Sequence, residues 1–217
     1  EETLRSRSWV TYMLGSYVPS QMRPAFYAVH LLDMELTKIA ENAGSLRSDD
    51  YPDAALGKLD FWKDSLSKIY NREKPQNEPL TVSLLQAVNN NPLTYGYFTR
   101  MINVRGQEIR NRSISTMAEM RRMADDSKGT MIALVLELLR IEITNESMQR
   151  VVDYLGQAVL LLTQIGICEY IRRVPYSLRN NRFLLPEEML SKYNLTTNNI
   201  WNRVYGKPSE ELFDAVL

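Results

Sequence analysis

The chain has 217 residues and a mass of 25.1 kDa, the size of one large domain or two small ones. Its 26 basic and 26 acidic residues give a net charge of zero, which argues against a general nucleic-acid coat. One cysteine and one histidine exclude a disulfide framework, a cysteine-based zinc site and a histidine-pair metal site.

Apolar residues recur at spacings of three and four along the chain, and no run alternates with period two. This pattern predicts an all-α protein. Long helices joined by short turns favour antiparallel packing in a single helical bundle, so we expect residues 1–217 to form one domain. Helices are predicted over 2–15, 22–43, 52–71, 79–90, 93–111, 114–140, 145–173, 186–193 and 196–204, with a last one from about 209.

Local signals explain several helix ends and one buried face. Prolines suit the first turn of a helix, and we expect this position for Pro24, Pro79 and Pro92. Pro175 is expected to end the long helix before it. One face of the third helix carries an apolar stripe that predicts burial: Leu56, Leu59, Trp62, Leu66 and Ile69.

No apolar stretch reaches the ~18–20 residues that a membrane span needs. Residues 1–7 lack the apolar core of a secretory signal and open with two acids, so they are not an intact mitochondrial presequence. The chain starts with Glu1, and we expect it to be trimmed at both ends relative to a longer protein.

Paired acids are the first candidates for chemistry. Asp60 and Asp64 are four residues apart on a helix and could hold Mg²⁺. However, they lie away from the apolar stripe, and Asp64 can pair with Lys68. We therefore favour the interpretation that they belong to a solvated face. Asp33 and Glu35 point to opposite sides of their helix and cannot share a metal.

Four further features bear on function. Asp125 and Asp126 are expected at a local bend or an exposed turn. Glu137 interrupts an apolar run and is expected to form an intrahelical or interhelical ion pair; Arg140 lies one turn away. His30 is interpreted as a core or boundary residue, and Cys168 as a small buried hydrophobe.

A basic cluster follows the long helix 145–173. Two interpretations stay open: a contact for an anion or an acidic partner, or a solvated helix end whose cations complement the helix dipole. The cluster consists of Arg172, Arg173, Arg179 and Arg182.

Several segments, in their order and spacing, resemble the squalene/phytoene synthase family. Residues 21–29 (QMRPAFYAV) are similar to its first core helix, in which an arginine precedes an A-x-Y-A-F-type run. The stretch from Trp62 through Tyr70 to Leu80 is similar to its W-x3-L-x3-Y…P…P-L segment, and residues 182–186 (RFLLP) to its R-x-Y-L-P-type segment. The resemblance spans roughly residues 8 to 195.

This resemblance implies an isoprenoid (trans-prenyl diphosphate) synthase fold. Active members hold Mg²⁺ and prenyl diphosphates with two aspartate-rich motifs on facing helices. Here the first motif would fall at 32–38, with Met34 and Lys38 at the aspartate positions. The second would begin just after Arg172, with Arg173, and end near Ser177. Because bases repel Mg²⁺, we expect no catalysis, no cofactor and no metal site.

The same departures resemble the family's non-catalytic mitochondrial branch. They imply a pseudoenzyme that contacts protein subunits during assembly of respiratory complex I, on the matrix side of the inner membrane and peripheral to it. One alternative is a subunit or maturation factor of another mitochondrial machine, the ribosome or a respiratory complex, where the arginine cluster would meet RNA phosphates or an acidic protein surface. Another is a divergent Mg²⁺-dependent prenyl transferase using Asp60, Asp64, Asp125 or Asp126.

We also expect a residual apolar cavity between helices 22–43 and 145–173, with room for an isoprenoid or another lipid.

Overall fold

The structure is a computed structural model that describes residues 5, 8–43, 51–111, 113–141 and 186–196. Within these ranges all regular secondary structure is helical, apart from one isolated bridge between Ile114 and Pro186. The helices are α1 (Trp9–Tyr17), α2 (Arg23–Asn42), α3 (Tyr51–Tyr70), α4 (Pro79–Asn90), α5 (Tyr95–Arg110), α6 (Met117–Ala124), a π-helical segment (Asp125–Gly129), α7 (Thr130–Leu138) and α8 (Glu187–Lys192).

Most predicted helices within the described residues are confirmed. The predictions 22–43, 52–71, 79–90, 93–111 and 186–193 agree with α2, α3, α4, α5 and α8 to within two residues at each end. The first predicted helix, 2–15, ends two residues later, at Tyr17. The predictions 145–173, 196–204 and the last helix fall outside the described residues.

Two details of the prediction are wrong. Pro92 lies before its helix, because α5 starts at Tyr95 with Thr94 as its N-cap. The single helix predicted over 114–140 is instead α6, the π-helical segment and α7 in succession. By contrast, Pro79 does occupy the start of α4, where its missing N–H leaves no helical bond unmade.

Helix α2 lies at the centre of the bundle and packs against α1, α3, α4, α5 and α7. Its buried face includes Phe26, Val29, Leu32 and Leu36, of which the last three are fully shielded from solvent. Burying each such side chain contributes about 1.5–3 kcal/mol to folding. The central position of α2 determines which of its polar residues meet neighbouring helices.

The apolar stripe predicted on α3 is confirmed. Leu59, Trp62, Leu66 and Ile69 are buried, and Leu56 packs half-buried against the same core. In the described part of the chain, no helix is both long and apolar enough to cross a membrane.

Candidate functional site

The segment expected to hold the first aspartate-rich motif lies in the middle of α2. Asp33 is buried and faces α5 and the π-helical segment. Glu35 lies on another side of the helix, where it lines a groove between α2 and α3. The two carboxylates therefore point apart, as the helical spacing predicted.

Asp33 is held by two cations from different elements. Lys128 Nζ donates a hydrogen bond to Asp33 Oδ2 at 2.6 Å, and Arg105 Nη2 donates to Asp33 Oδ1 at 3.3 Å. Arg105 also donates from Nη1 to Glu108 Oε1 at 2.7 Å. We call these four residues the Asp33 cluster; two positive and two negative groups cancel in formal charge.

Three of the four residues in the Asp33 cluster are buried, and Lys128 is half-buried. Asp33 is 5% exposed, and Arg105 and Glu108 are each 2% exposed. A buried charge is tolerated only when it is paired and hydrogen-bonded, because desolvation costs several kcal/mol per ion. The cluster therefore joins α2, α5 and the π-helical segment through groups that cannot separate without leaving a charge unpaired.

Burial alone would raise the pKa of Asp33, since it disfavours the charged carboxylate. Lys128 and, next, Arg105 outweigh this effect and lower the pKa of Asp33 to about 2. Asp33 is consequently ionised over the whole physiological pH range.

His30 lies one helical turn before Asp33, with its ring 4.3 Å from the ring of Phe26. Burial lowers the pKa of His30 to about 4, Asp33 opposes this shift and Lys128 adds to it. The imidazole is therefore neutral at pH 7. It is a half-buried boundary residue, as predicted.

The π-helical segment brings Lys128 to Asp33. A π-turn inserts a residue into the helix, so some backbone carbonyls lose their usual i+4 partner. Hydroxyl groups in and next to this segment donate to backbone carbonyls around it: Ser127 Oγ donates to Ala124 O at 3.1 Å, and Thr130 Oγ1 donates to Asp126 O at 2.8 Å. π-Turns are frequent at functional sites, and this one belongs to the Asp33 cluster.

The residues of the first motif region do not fit a magnesium–diphosphate complex. Mg²⁺ binds carboxylate oxygens, but both oxygens of Asp33 already accept hydrogen bonds from cations. Met34 offers a thioether and Lys38 a positive charge. Within the ranges that the structure describes, no three Asp, Glu, His or Cys side chains converge on one point. The second motif region, 172–177, lies outside those ranges.

The carboxylates Asp60 and Asp64 are both exposed on α3. Lys68 Nζ lies 2.6 Å from Asp64 Oδ2, so the predicted ion pair is confirmed. This pair lies on the solvent side of α3, while the apolar stripe of the same helix is buried.

The prediction that Glu137 forms an intrahelical or interhelical ion pair, with Arg140 one turn away, is wrong. The Glu137 carboxylate instead accepts hydrogen bonds from the backbone N–H of Thr94 at 2.8 Å and from its hydroxyl at 2.5 Å. An N-terminal N–H of a helix needs an acceptor, and a carboxylate from a neighbouring helix supplies a strong one. Glu137 thus caps α5 from α7.

The expectation for Asp125 and Asp126 also needs correction, because the chain stays helical there. Both residues lie in the π-helical segment, not in an exposed turn, and both are half-buried. The guanidinium of Arg100 approaches Asp126 Oδ1 from Nη2 at 2.6 Å and from Nε at 2.8 Å.

The predicted basic cluster of Arg172, Arg173, Arg179 and Arg182 lies outside the described residues, as does Cys168. The same holds for helix 145–173, and hence for the cavity predicted against it. The structure does contain a groove of about 600 Å³ between α2, α3 and α4. Its apolar walls include Leu31, Phe61, Trp62 and Leu80.

Sequence reasoning did not identify Arg105 and Lys128 as partners of Asp33, or Glu108 as a partner of Arg105. The spacing of three between Arg105 and Glu108 is a weak signal of an ion pair on one helix face. Nothing local signals that Lys128 reaches Asp33, because 95 positions separate them.

A helical bundle with this architecture belongs to the isoprenoid synthase class of folds. A squalene synthase from Alicyclobacillus acidocaldarius has the same fold, with a TM-score of 0.74 at 18% identity over 98% of this chain and 74% of that one. A dehydrosqualene synthase matches with a TM-score of 0.69 at 15% identity over 99% of this chain and 69% of that one.

The chain belongs to the squalene/phytoene synthase family, whose model matches residues 4–217. It is 30% identical over 73% of its length to the complex I assembly factor 6 homolog of Dictyostelium discoideum, and covers 42% of that relative. It is 23% identical over 87% of its length to complex I assembly factor 6 of Bos taurus, and covers 52% of it. The chain thus spans about half the length of these relatives.

Proposed function

We propose that this chain acts as a non-catalytic, synthase-fold protein in the assembly of mitochondrial respiratory complex I. The observation that carries the proposal is its similarity to family members that are named as complex I assembly factors in a slime mould and in mammals. In this proposal the protein acts by binding protein subunits of the complex, on the matrix side of the inner membrane.

The Asp33 cluster supports the non-catalytic part of the proposal. In a magnesium-dependent synthase, carboxylates must be free to bind metal and so neutralise the leaving diphosphate. In this protein Lys128 and Arg105 occupy the oxygens of Asp33. The cluster lies where the resemblance would place the first acidic motif of a synthase.

The arginine cluster, Arg172 to Arg182, remains a proposed contact for an acidic partner surface. Substituting Arg172 and Arg173 with Glu tests it, because reversed charge repels an acidic surface while lysine at the same positions preserves attraction. We expect loss of partner association in the glutamate variant and its retention in the lysine variant. Loss in neither variant would contradict the contact.

The proposed function is tested in cells that lack the protein. We expect assembled complex I to fall on native gels while complexes III and IV are unchanged, and to recover when the chain is restored within its full-length protein. Unchanged complex I would contradict the assembly role. The non-catalytic role is tested separately: release of diphosphate from prenyl diphosphates by the purified protein, dependent on Mg²⁺, would contradict it.

A further inference from the structure

Helix α1 presents an apolar face that no described residue covers. The five side chains of this face follow the spacing i, i+1, i+4, i+5 and i+8, so they lie on one side of two helical turns. Each is between 41% and 84% exposed: Trp9, Val10, Met13, Leu14 and Tyr17. Single exposed apolar residues are ordinary, but a contiguous set of five on one helix marks a contact surface.

The opposite side of α1 is fixed to the bundle. Gly15 is buried where a Cβ atom would overlap the ring of Tyr27, so the helix backbone lies directly on that ring. The rings of Tyr12 and Tyr27 stack with centroids 6.3 Å apart. The apolar face is therefore held in one orientation relative to α2.

The first turn of α1 is capped locally, and its C-terminal end is bonded to α2. Ser8 Oγ accepts a hydrogen bond from the N–H of Thr11 at 3.4 Å. At the other end, Arg23 of α2 donates from Nε to Val18 O at 2.8 Å and from Nη2 to Ser16 O at 3.0 Å. A pre-oriented helix loses little conformational entropy on binding, which favours recognition by a fixed partner surface.

Charge indicates the chemistry of the partner. The sequence has no charged residue from Ser8 through Met22. The core of a protein–protein interface has this composition: aromatic residues and methionine are enriched and charges depleted. A helix that lies on an anionic membrane instead carries lysine or arginine beside its apolar face. Of the flanking arginines described, Arg23 caps α1 and Arg5 lies over the ring of Tyr12 at 6.0 Å.

The size of the α1 face argues against a second copy of this chain as its partner. A stable dimer buries about 800 Å² on each partner, from some 20–30 residues, which five side chains on two turns cannot supply. A two-turn helix with anchors at i, i+4 and i+8 matches the helix-in-groove mode of recognition. We infer that the α1 face, defined by Trp9, Val10, Met13, Leu14 and Tyr17, docks into an uncharged apolar groove on a protein partner.

This inference rests on the proposed function, which requires protein contacts and supplies the partner as a subunit of complex I under assembly. The experiment places a photo-crosslinking amino acid at Leu14 in the full-length protein, in cells, with Lys63 on the solvent side of α3 as the control position. We expect position 14, and not position 63, to crosslink to one complex I subunit, within a stretch of apolar residues. No crosslink, or crosslinks only to lipid or to a second copy, would overturn it.

A matched pair of variants gives an independent readout. We expect Leu14→Glu to lower co-migration with complex I assembly intermediates about tenfold, as for loss of an interface anchor, while Lys63→Glu has no effect. Both sites are exposed, so both variants should melt like the parent protein. Vesicle flotation tests the membrane as the alternative. If the parent protein floats with phosphatidylcholine–cardiolipin vesicles and Leu14→Glu does not, the face binds the membrane and the inference is overturned.

The outcomes separate the two proposals. If complex I assembly requires the protein but tolerates Leu14→Glu, the docking inference fails and the assembly role stands. If complex I assembles normally without the protein, the assembly role fails, whatever position 14 contacts.

Discussion

Lys128 and Asp33 are separated by 95 positions in the chain, yet Lys128 Nζ lies 2.6 Å from Asp33 Oδ2. This ion pair ties the π-helical segment to the central helix α2. Arg105 contacts the same carboxylate, and the charges of Asp33 and Lys128 shift the pKa of His30 in opposite directions.

Removing the central carboxylate should destabilise the protein strongly. We expect Asp33→Ala to lower the free energy of unfolding by about 3–5 kcal/mol, because the cluster loses one of its two carboxylates and keeps both cations, which leaves an excess positive charge in a buried place. The measurement is urea unfolding followed by circular dichroism. As the control, Asp64→Ala breaks the exposed pair with Lys68 and should cost less than about 1 kcal/mol. Equal losses in the two variants would contradict the role of the Asp33 cluster.

The protein should lose stability on mild acidification because of His30. The pKa of His30 is about 4 in the folded protein and 6.5 in the unfolded chain. Between these values the unfolded chain binds a proton that the folded protein does not, so the free energy of unfolding falls as pH is lowered. His30 is the single histidine of the chain, which makes its titration directly visible by NMR. A folded-state pKa near 6.5 would contradict this.

The variant His30→Phe removes this dependence and keeps an aromatic ring beside Phe26. We expect its unfolding free energy to change less than that of the parent between pH 7 and pH 5.

Asp33 affects stability in a lower pH range. The pKa of Asp33 is about 2 in the folded protein and 3.8 in the unfolded chain. Its contribution to the free energy of unfolding is therefore present above pH 3.8 and is lost as the pH falls toward 2.

Two glycine substitutions should have opposite effects. Gly15→Ala places a Cβ atom against the ring of Tyr27, so we expect it to destabilise the protein and to loosen α1. Gly57→Ala lies on an exposed turn of α3 with open space around the new atom, and should stabilise by about 0.5–1 kcal/mol through helix propensity. Thermal melting of both variants checks this; stabilisation by Gly15→Ala would show that Tyr27 moves aside freely.

Removing a buried hydroxyl group should have different effects on stability at Ser65 and at Thr130. Ser65 is 1% exposed, and among the described residues its hydroxyl has no hydrogen-bond partner. We therefore expect Ser65→Ala to be neutral or slightly stabilising, since it removes an unsatisfied polar group. Thr130→Val deletes a hydroxyl that donates to Asp126 O and Ser127 O, and should cost about 1–3 kcal/mol. Chemical denaturation of the two variants distinguishes the cases.

The sequence by itself determined the helical character, most helix bounds within the described residues and the buried stripe of α3. These depend on contacts within one or two turns, which residue spacing encodes directly; the Asp64–Lys68 pair is of this kind. The order of its motifs also identified the family. The acceptor for Thr94, the close contact of Gly15 with Tyr27 and the cations on Asp33 were decided only by the tertiary structure. Each joins residues on different helices, and which faces meet depends on how the whole core packs, which no local spacing records.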